Sequence, residues 1–205
     1  MSRSSERFTL PGPAGAIECV LDTPESDVAR GVAVICHPNP QFGGTLDNKV
    51  VQTLARAFLQ WGYRAVRLNF RGVGASEGRW DEGRGEVDDA LAVIEAQRDA
   101  SLPLVLAGFS FGAYVVAEAA ARLPEESRAG QLVLVGPSTQ KQAMPAVPEG
   151  SLVIHGEADE VVPLSATLDW ARPQALPVVV IPGAGHFFHG QLTLLKNLVV
   201  RSRPH

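Results

Sequence analysis

The run Leu104–Gly112, Leu-Val-Leu-Ala-Gly-Phe-Ser-Phe-Gly, constrains this chain more than any other stretch. Apolar residues with the composition of a buried strand pass directly into Gly108-Phe109-Ser110-Phe111-Gly112, and a helix-forming run follows from Ala113 to Arg122. Strand, Gly-x-Ser-x-Gly and helix, in that order, predict a tight turn that lifts one hydroxyl clear of the backbone. Side chains two residues to either side would crowd such a turn, which accounts for Gly108 and Gly112. The helix then points its free N–H groups and positive dipole end at Ser110, where they would stabilise a developing oxyanion. The five-residue pattern alone is weak. Its place between an apolar strand and a helix gives it weight.

The rest of the chain reads as strands alternating with helices. Phe8–Leu10 and Ile17–Leu21, joined through Pro11-Gly12-Pro13-Ala14-Gly15, predict an antiparallel hairpin. Gly31–Cys36 is a continuous apolar run, as expected of a strand covered on both faces. After the loop 37–47, Asn48 is placed to cap a helix ending near Trp61, with Val50, Val51, Leu54, Phe58 and Leu59 as its apolar stripe. Further strands are expected at Tyr63–Asn69, Gln131–Gly136, Ser151–His155 and Pro177–Ile181. Further helices are expected at Val87–Gln97, Leu164–Ala171 and Phe187–Val200. A glycine-rich loop spans Phe70–Gly85. This pattern predicts a single α/β domain over residues 1–205, with a mostly parallel sheet, helices on both faces and the opening hairpin at one end.

Composition removes several function classes. The net charge of −4 offers no basic field for nucleic acid and no polybasic anchor for a membrane. The start, Met1–Arg7, is polar and lacks the apolar core of a signal peptide, so a cytoplasmic protein is expected. Cys19 and Cys36 fall in apolar runs and read as reduced core residues. No cluster has zinc spacing, and Phe70-Arg71-Gly72-Val73-Gly74 lacks the Gly-Lys-Ser/Thr of a phosphate loop, so no metal or other cofactor is expected. Arg71 reads instead as a brace between loops.

A serine hydroxyl is a poor nucleophile at neutral pH; it needs a base, and the base needs an orienting acid. In a parallel sheet, functional groups gather beyond the carboxyl ends of the strands. Two such loops follow Ser110: Gly156-Glu157-Ala158-Asp159-Glu160-Val161-Val162-Pro163 and Pro182-Gly183-Ala184-Gly185-His186. They offer Glu157, Asp159 or Glu160 as the acid and His186 as the base, with His189 the nearest competitor. His155, at a strand end, reads as structural.

The order Ser, Asp, His in these contexts resembles the α/β-hydrolase superfamily over essentially the whole chain. Segments Cys36–Lys49 and Asn69–Gly78 are similar to those of a small, lid-less group of bacterial hydrolases, although that group more often has His where this chain has Asn39. The resemblance implies Ser110 as nucleophile, His186 as general base and Asp159 as its acid. It implies one oxyanion donor at the Phe111 N–H and a second from the loop after Gly31–Cys36. Within Pro38-Asn39-Pro40 only Asn39 has an N–H, so Asn39 is the expected second donor. His37 is placed to shape that loop or meet substrate. Phe42, Trp80, Met144, Phe187 and Phe188 are candidates for an acyl wall, Phe42 and Phe187 foremost.

The expected activity is hydrolysis of small, short-acyl esters through an acyl-enzyme on Ser110. The connection Pro137–Gly150 is too short for a cap domain. A thioesterase or acyltransferase would use the same three residues; a peptidase or a non-catalytic binding protein is a weaker alternative. Ser at the nucleophile position disfavours the related dehalogenases and epoxide hydrolases, which use Asp. The expected partners are a small ester or thioester and, at most, a second copy of the chain.

Overall fold

Burial alternates residue by residue along the central strands. In β3 (Val32–Cys36), Val32, Val34 and Cys36 enter one core while Ala33 and Ile35 enter another. In β5 (Leu104–Phe109), Leu104 and Leu106 face the first core and Val105, Ala107 and Phe109 the second. Strands covered on both sides have no polar face, which is why they read as unbroken apolar runs. The computed structural model describes residues 4–26 and 28–203. The first three residues of the polar start therefore lie outside the described residues.

The other strands are β1 (Ser4–Gly12), β2 (Gly15–Thr23), β4 (Arg64–Leu68), β6 (Gln131–Val135), β7 (Leu152–Gly156) and β8 (Val178–Ile181). All eight form one sheet in the order β1-β2-β4-β3-β5-β6-β7-β8. The hairpin β1–β2 and the β2–β4 pair are antiparallel, and every pairing from β4 to β8 is parallel. Helices α2 (Arg84–Gln97) and α3 (Phe111–Arg122) pack on the first core; α1 (Lys49–Gln60) and α5 (Leu192–Arg201) pack on the second. The short α4 (Leu164–Ala171) lies beyond β7 and buries Ala171 in the first core.

The chain moves from β3 to β4 on one side and returns to β5 on the other. The crevice at the carboxyl ends of β3 and β5 is thus the topological switch point, where an open α/β sheet binds ligands.

Three boundaries differ from the sequence reading. The hairpin runs much further, pairing Ser4 with Thr23 at one end and Gly12 with Gly15 at the other. Ladder hydrogen bonds come from the backbone, so polar, exposed residues extend it beyond the apolar ones. Helix α2 begins at Arg84, a turn before Val87, because the buried Glu86 carboxylate accepts the N–H groups of Gly83 (2.7 Å) and Asp81 (2.9 Å). Helix α5 begins at Leu192, not Phe187. Phe188 and Gly190 have φ of 52° and 75°, which no right-handed helix contains. His189 accordingly sits in an exposed turn before the helix and not inside it. Asn48 caps α1 as expected, its Oδ1 accepting the Val50 N–H at 2.9 Å.

Both cysteines are free and buried, and desolvation pushes the Cys19 thiol up to about 12. Among the described residues no helix is long and apolar enough to cross a membrane.

Candidate active site

Ser110 is the residue between β5 and α3, and its backbone is strained, with φ 56° and ψ −116°. A non-glycine residue holds that conformation only when its surroundings over-determine it. They do here. A Cβ on Gly108 would overlap the backbone of Gly112, and a Cβ on Gly112 would overlap the Cys36 and His37 carbonyls at the end of β3. The glycines let the turn fold back on itself and let α3 start against the neighbouring strand. The Ser110 N–H donates to Val135 O at 2.9 Å, tying the turn to β6.

The loops after β7 and β8 bring the other groups in. His186 Nε2 lies 3.0 Å from Ser110 Oγ, and His186 Nδ1 lies 2.6 Å from Asp159 Oδ2. The second carboxylate oxygen of Asp159 accepts the N–H groups of Val161 (2.9 Å) and Val162 (2.8 Å). With both oxygens occupied the carboxylate has one orientation. Burial pushes the Asp159 pKa up, but the His186 hydrogen bond and the Val162 and Val161 amides outweigh it, so Asp159 stays below its ordinary value and ionised. That charge selects the tautomer with the proton on His186 Nδ1, which leaves Nε2 as the acceptor facing Ser110. The imidazole is further held between the Phe109 ring (4.9 Å) and the edge of Phe187 (5.1 Å).

The loops that carry Asp159 and His186 are stitched to each other. Glu157 N–H donates to Ile181 O (3.0 Å), Ala158 N–H to Ala184 O (2.9 Å), and Gly183 N–H to the Glu157 carboxylate (2.8 Å). Glu157 thus fastens the loops, while Glu160 is exposed. His155 is fully buried. Its Nε2 donates to Val162 O at 2.9 Å and its Nδ1 faces the Thr167 hydroxyl at 3.2 Å, so it braces the same loop from below. Desolvation lowers its pKa, keeping it neutral.

Ser110 and His186 open into a cavity of about 450 Å³ that Pro38, Asn39, Phe42, Phe111, Val161 and Phe187 also line. As the first residue of α3, Phe111 has an N–H with no intrahelical acceptor. Asn39 follows β3 across the crevice; its carbonyl accepts from Phe42 and Gly44 (both 3.1 Å) and its Oδ1 from Gln41 N–H (2.8 Å). Those bonds fold the loop into a turn beside Ser110.

The remaining candidates separate. Phe42 and Phe187 line the cavity and are exposed at its mouth, as is Val161. His37 is fully buried outside the cavity lining: its Nδ1 donates to Pro38 O at 2.6 Å and its Nε2 accepts the Phe70 N–H at 3.1 Å. It shapes the loop and has no face toward a ligand. Trp80 packs on the Phe111 ring (4.9 Å), Met144 on the first core, and Phe188 is wholly buried, so none of the three forms an acyl wall. Arg71 pairs with Asp89 through Nε (3.0 Å) and a terminal nitrogen (2.7 Å), bracing the glycine-rich loop against α2. Sequence reading missed Ser138 and Lys141, which line the cavity from the β6–β7 connection. That segment has no regular structure and so no periodicity to flag them.

Residues 28–151 match the family model described as serine aminopeptidase, S33. The chain is 40% identical to an α/β serine hydrolase homologue from Coxiella burnetii, with a TM-score of 0.85 and 97% of each chain covered. It is equally 40% identical to a Xanthomonas campestris protein described as an α/β serine hydrolase without lid, with a TM-score of 0.89 over 98% of this chain and 94% of that one. An uncharacterized protein of Rickettsia prowazekii (strain Madrid E) is 30% identical over 194 residues, 86% of this chain and 79% of the relative. With the sheet order, the turn at Ser110 and these likenesses together, the chain belongs to the S33 serine aminopeptidase-type family of the α/β-hydrolase group.

Proposed function

We propose that this protein hydrolyses small carboxylic esters through an acyl-enzyme on Ser110. The observation that carries this reading is the continuous chain Ser110 Oγ–His186–Asp159, with contacts of 3.0 and 2.6 Å, opening into a cavity of the size that takes small molecules. His186 Nε2 accepts the Ser110 proton as Oγ attacks the carbonyl carbon, and Asp159 stabilises the imidazolium. The N–H groups of Phe111 and Asn39 receive the oxyanion, and His186 returns the proton to the departing alcohol. Water, activated by the same imidazole, then releases the acid. A thioester would follow the same course with a thiol departing.

The aminopeptidase name of the family model raises peptide hydrolysis as the other reading. An aminopeptidase needs an anionic group to receive the substrate's terminal ammonium. Among the described residues the cavity lining contains no Asp or Glu and does contain Lys141, which favours the ester reading. Short acyl groups suit the site because little of the β6–β7 connection reaches it: Ser138 and Lys141 line the cavity, while Met144 and Val147 pack on the first core.

The test is intact-mass analysis after a fluorophosphonate probe, followed by turnover of 4-nitrophenyl esters of increasing chain length and of amino-acid 4-nitroanilides. One adduct on the wild type and none on Ser110→Ala, with kcat/KM highest below octanoyl, is the expected result. Labelling with anilide turnover and no ester turnover would replace the ester reading by the peptidase one.

A further inference from the structure

The cavity beside Ser110 has a polarity that ester chemistry alone does not require. Its walls near the mouth are apolar, formed by Phe42, Val161 and Phe187. Among the described residues that line it, only Lys141 carries a fixed positive charge, and none carries a negative one. Among the described residues Lys141 has no carboxylate within ion-pair distance; its recorded contact is the Phe42 ring, with Nζ 5.1 Å from the ring centre. Lys141 comes from the β6–β7 connection and Phe42 from the loop after β3, so this cation–π contact links two separate segments of the cavity lining.

Two further polar groups of the lining can donate. Ser138 is only 6% exposed, lines the cavity, and its hydroxyl has no hydrogen-bond partner among the described residues. Facing the open cavity and without a protein partner, that hydroxyl is free to donate to a bound ligand. Asn48 also lines the cavity. Its Oδ1 is committed to the Val50 N–H, which leaves its amide hydrogens as the available pole. An ammonium, a free hydroxyl and an amide NH₂, in a lining shared with the apolar Phe42, Val161 and Phe187, match a molecule that combines an apolar part with a negative charge.

We propose that the substrate carries an anionic group, such as a carboxylate, and that Lys141 is the residue that selects it, with Ser138 and Asn48 as supporting donors. The proposal rests on Ser110 being an activated nucleophile, as in the reading above. A Lys ammonium is a point charge and accepts the anion from the acyl or the alcohol side alike.

The test follows the rate at which Ser110 is phosphonylated, so it does not depend on knowing the substrate. In that step Ser110 Oγ forms a bond to phosphorus, 4-nitrophenolate leaves, and His186 takes the serine proton. One probe pair is the neutral diester ethyl 4-nitrophenyl hexylphosphonate and its 5-carboxypentyl counterpart. A second pair carries the carboxylate on the leaving aryl group. In each pair the ratio of charged to neutral labelling rate is compared in the wild type, Lys141→Gln and Lys141→Arg.

The expected result is a ratio that falls roughly threefold to tenfold in Lys141→Gln, is kept in Lys141→Arg, and falls in the wild type at about 1 M salt. The pair that responds tells which side of the ester bears the charge. A ratio unchanged by Lys141→Gln in both pairs overturns the proposal and leaves the serine-hydrolase reading intact. Absence of labelling by every probe on folded wild type removes both together.

Discussion

His37 Nε2 accepts the Phe70 N–H at 3.1 Å, so this imidazole holds the loop after β3 to the loop after β4 only while it is neutral. Desolvation pulls its pKa from the ordinary 6.5 down to about 4, against the hydrogen bond to Pro38 O. Between those values the unfolded chain binds a proton at His37 and the folded protein does not, so folding stability falls as pH is lowered through that window. The loss is about 2 kcal/mol by pH 5 and up to about 3 kcal/mol near pH 4. Neutral, buried His155 acts with the same sign. Urea unfolding of the wild type at pH 7 and pH 5 reads the loss directly, and His37→Gln should flatten it; an equal slope in both proteins would assign it elsewhere.

Replacing Asp159 by Asn keeps its shape but removes the charge that fixes the Nδ1 proton on His186. An Asn amide donates where the imidazole must also donate, so the ring loses its productive tautomer. The kcat of Asp159→Asn for a short ester should fall on the order of 10⁴-fold. The circular-dichroism spectrum should be unchanged, since the Val161 and Val162 amides still find an oxygen. A fall of less than tenfold would show that the base is oriented by another group.

Asn39 has φ −53°, a value proline shares, so Asn39→Pro is compatible with the loop while deleting one N–H. Its kcat should be roughly 10²–10³-fold below that of Asn39→Ala, which keeps the amide. Equal rates in the two variants would place the second oxyanion donor at another residue.

Gly112→Ala sets a methyl group against the Cys36 and His37 carbonyls, rigid backbone that cannot yield. Thermal unfolding should show a loss of about 3 kcal/mol or more. The same substitution at Gly43, where nothing lies within 4 Å but φ is +78°, should cost only the strain of a left-handed residue, about 1 kcal/mol. Comparable losses would mean that the approach of α3 to β3 is not what Gly112 protects.

The architecture was legible in the sequence because β3, β5 and β6 are buried on both faces and so are written in apolar residues throughout. Ser110 was legible for a different reason: its strained backbone demands glycines at fixed offsets. Features set by the path of a single loop were not. The late start of α5 depends on a left-handed Phe188, a conformation no residue type announces. Whether His37 faces a ligand or the interior depends on a turn built by Pro38 and Asn39 carbonyls, and it faces the interior. Lys141 and Ser138 meet the cavity because an irregular connection bends toward it, and nothing in their spacing records that bend.

The hydrogen bonds that join the loops after β7 and β8 make Asp159 and His186 parts of one small body, set on the last two strands at a margin of the sheet. Ser110 belongs to a different body, rooted on β5 and separated from them by β6. Loosening of the β8 margin would carry off Asp159 and His186 as a pair while their mutual contact survived, parting them from the Ser110 hydroxyl. On gentle heating, the Ser110–His186 contact would then be lost ahead of the cooperative melting of the sheet, with the imidazole–carboxylate couple still joined.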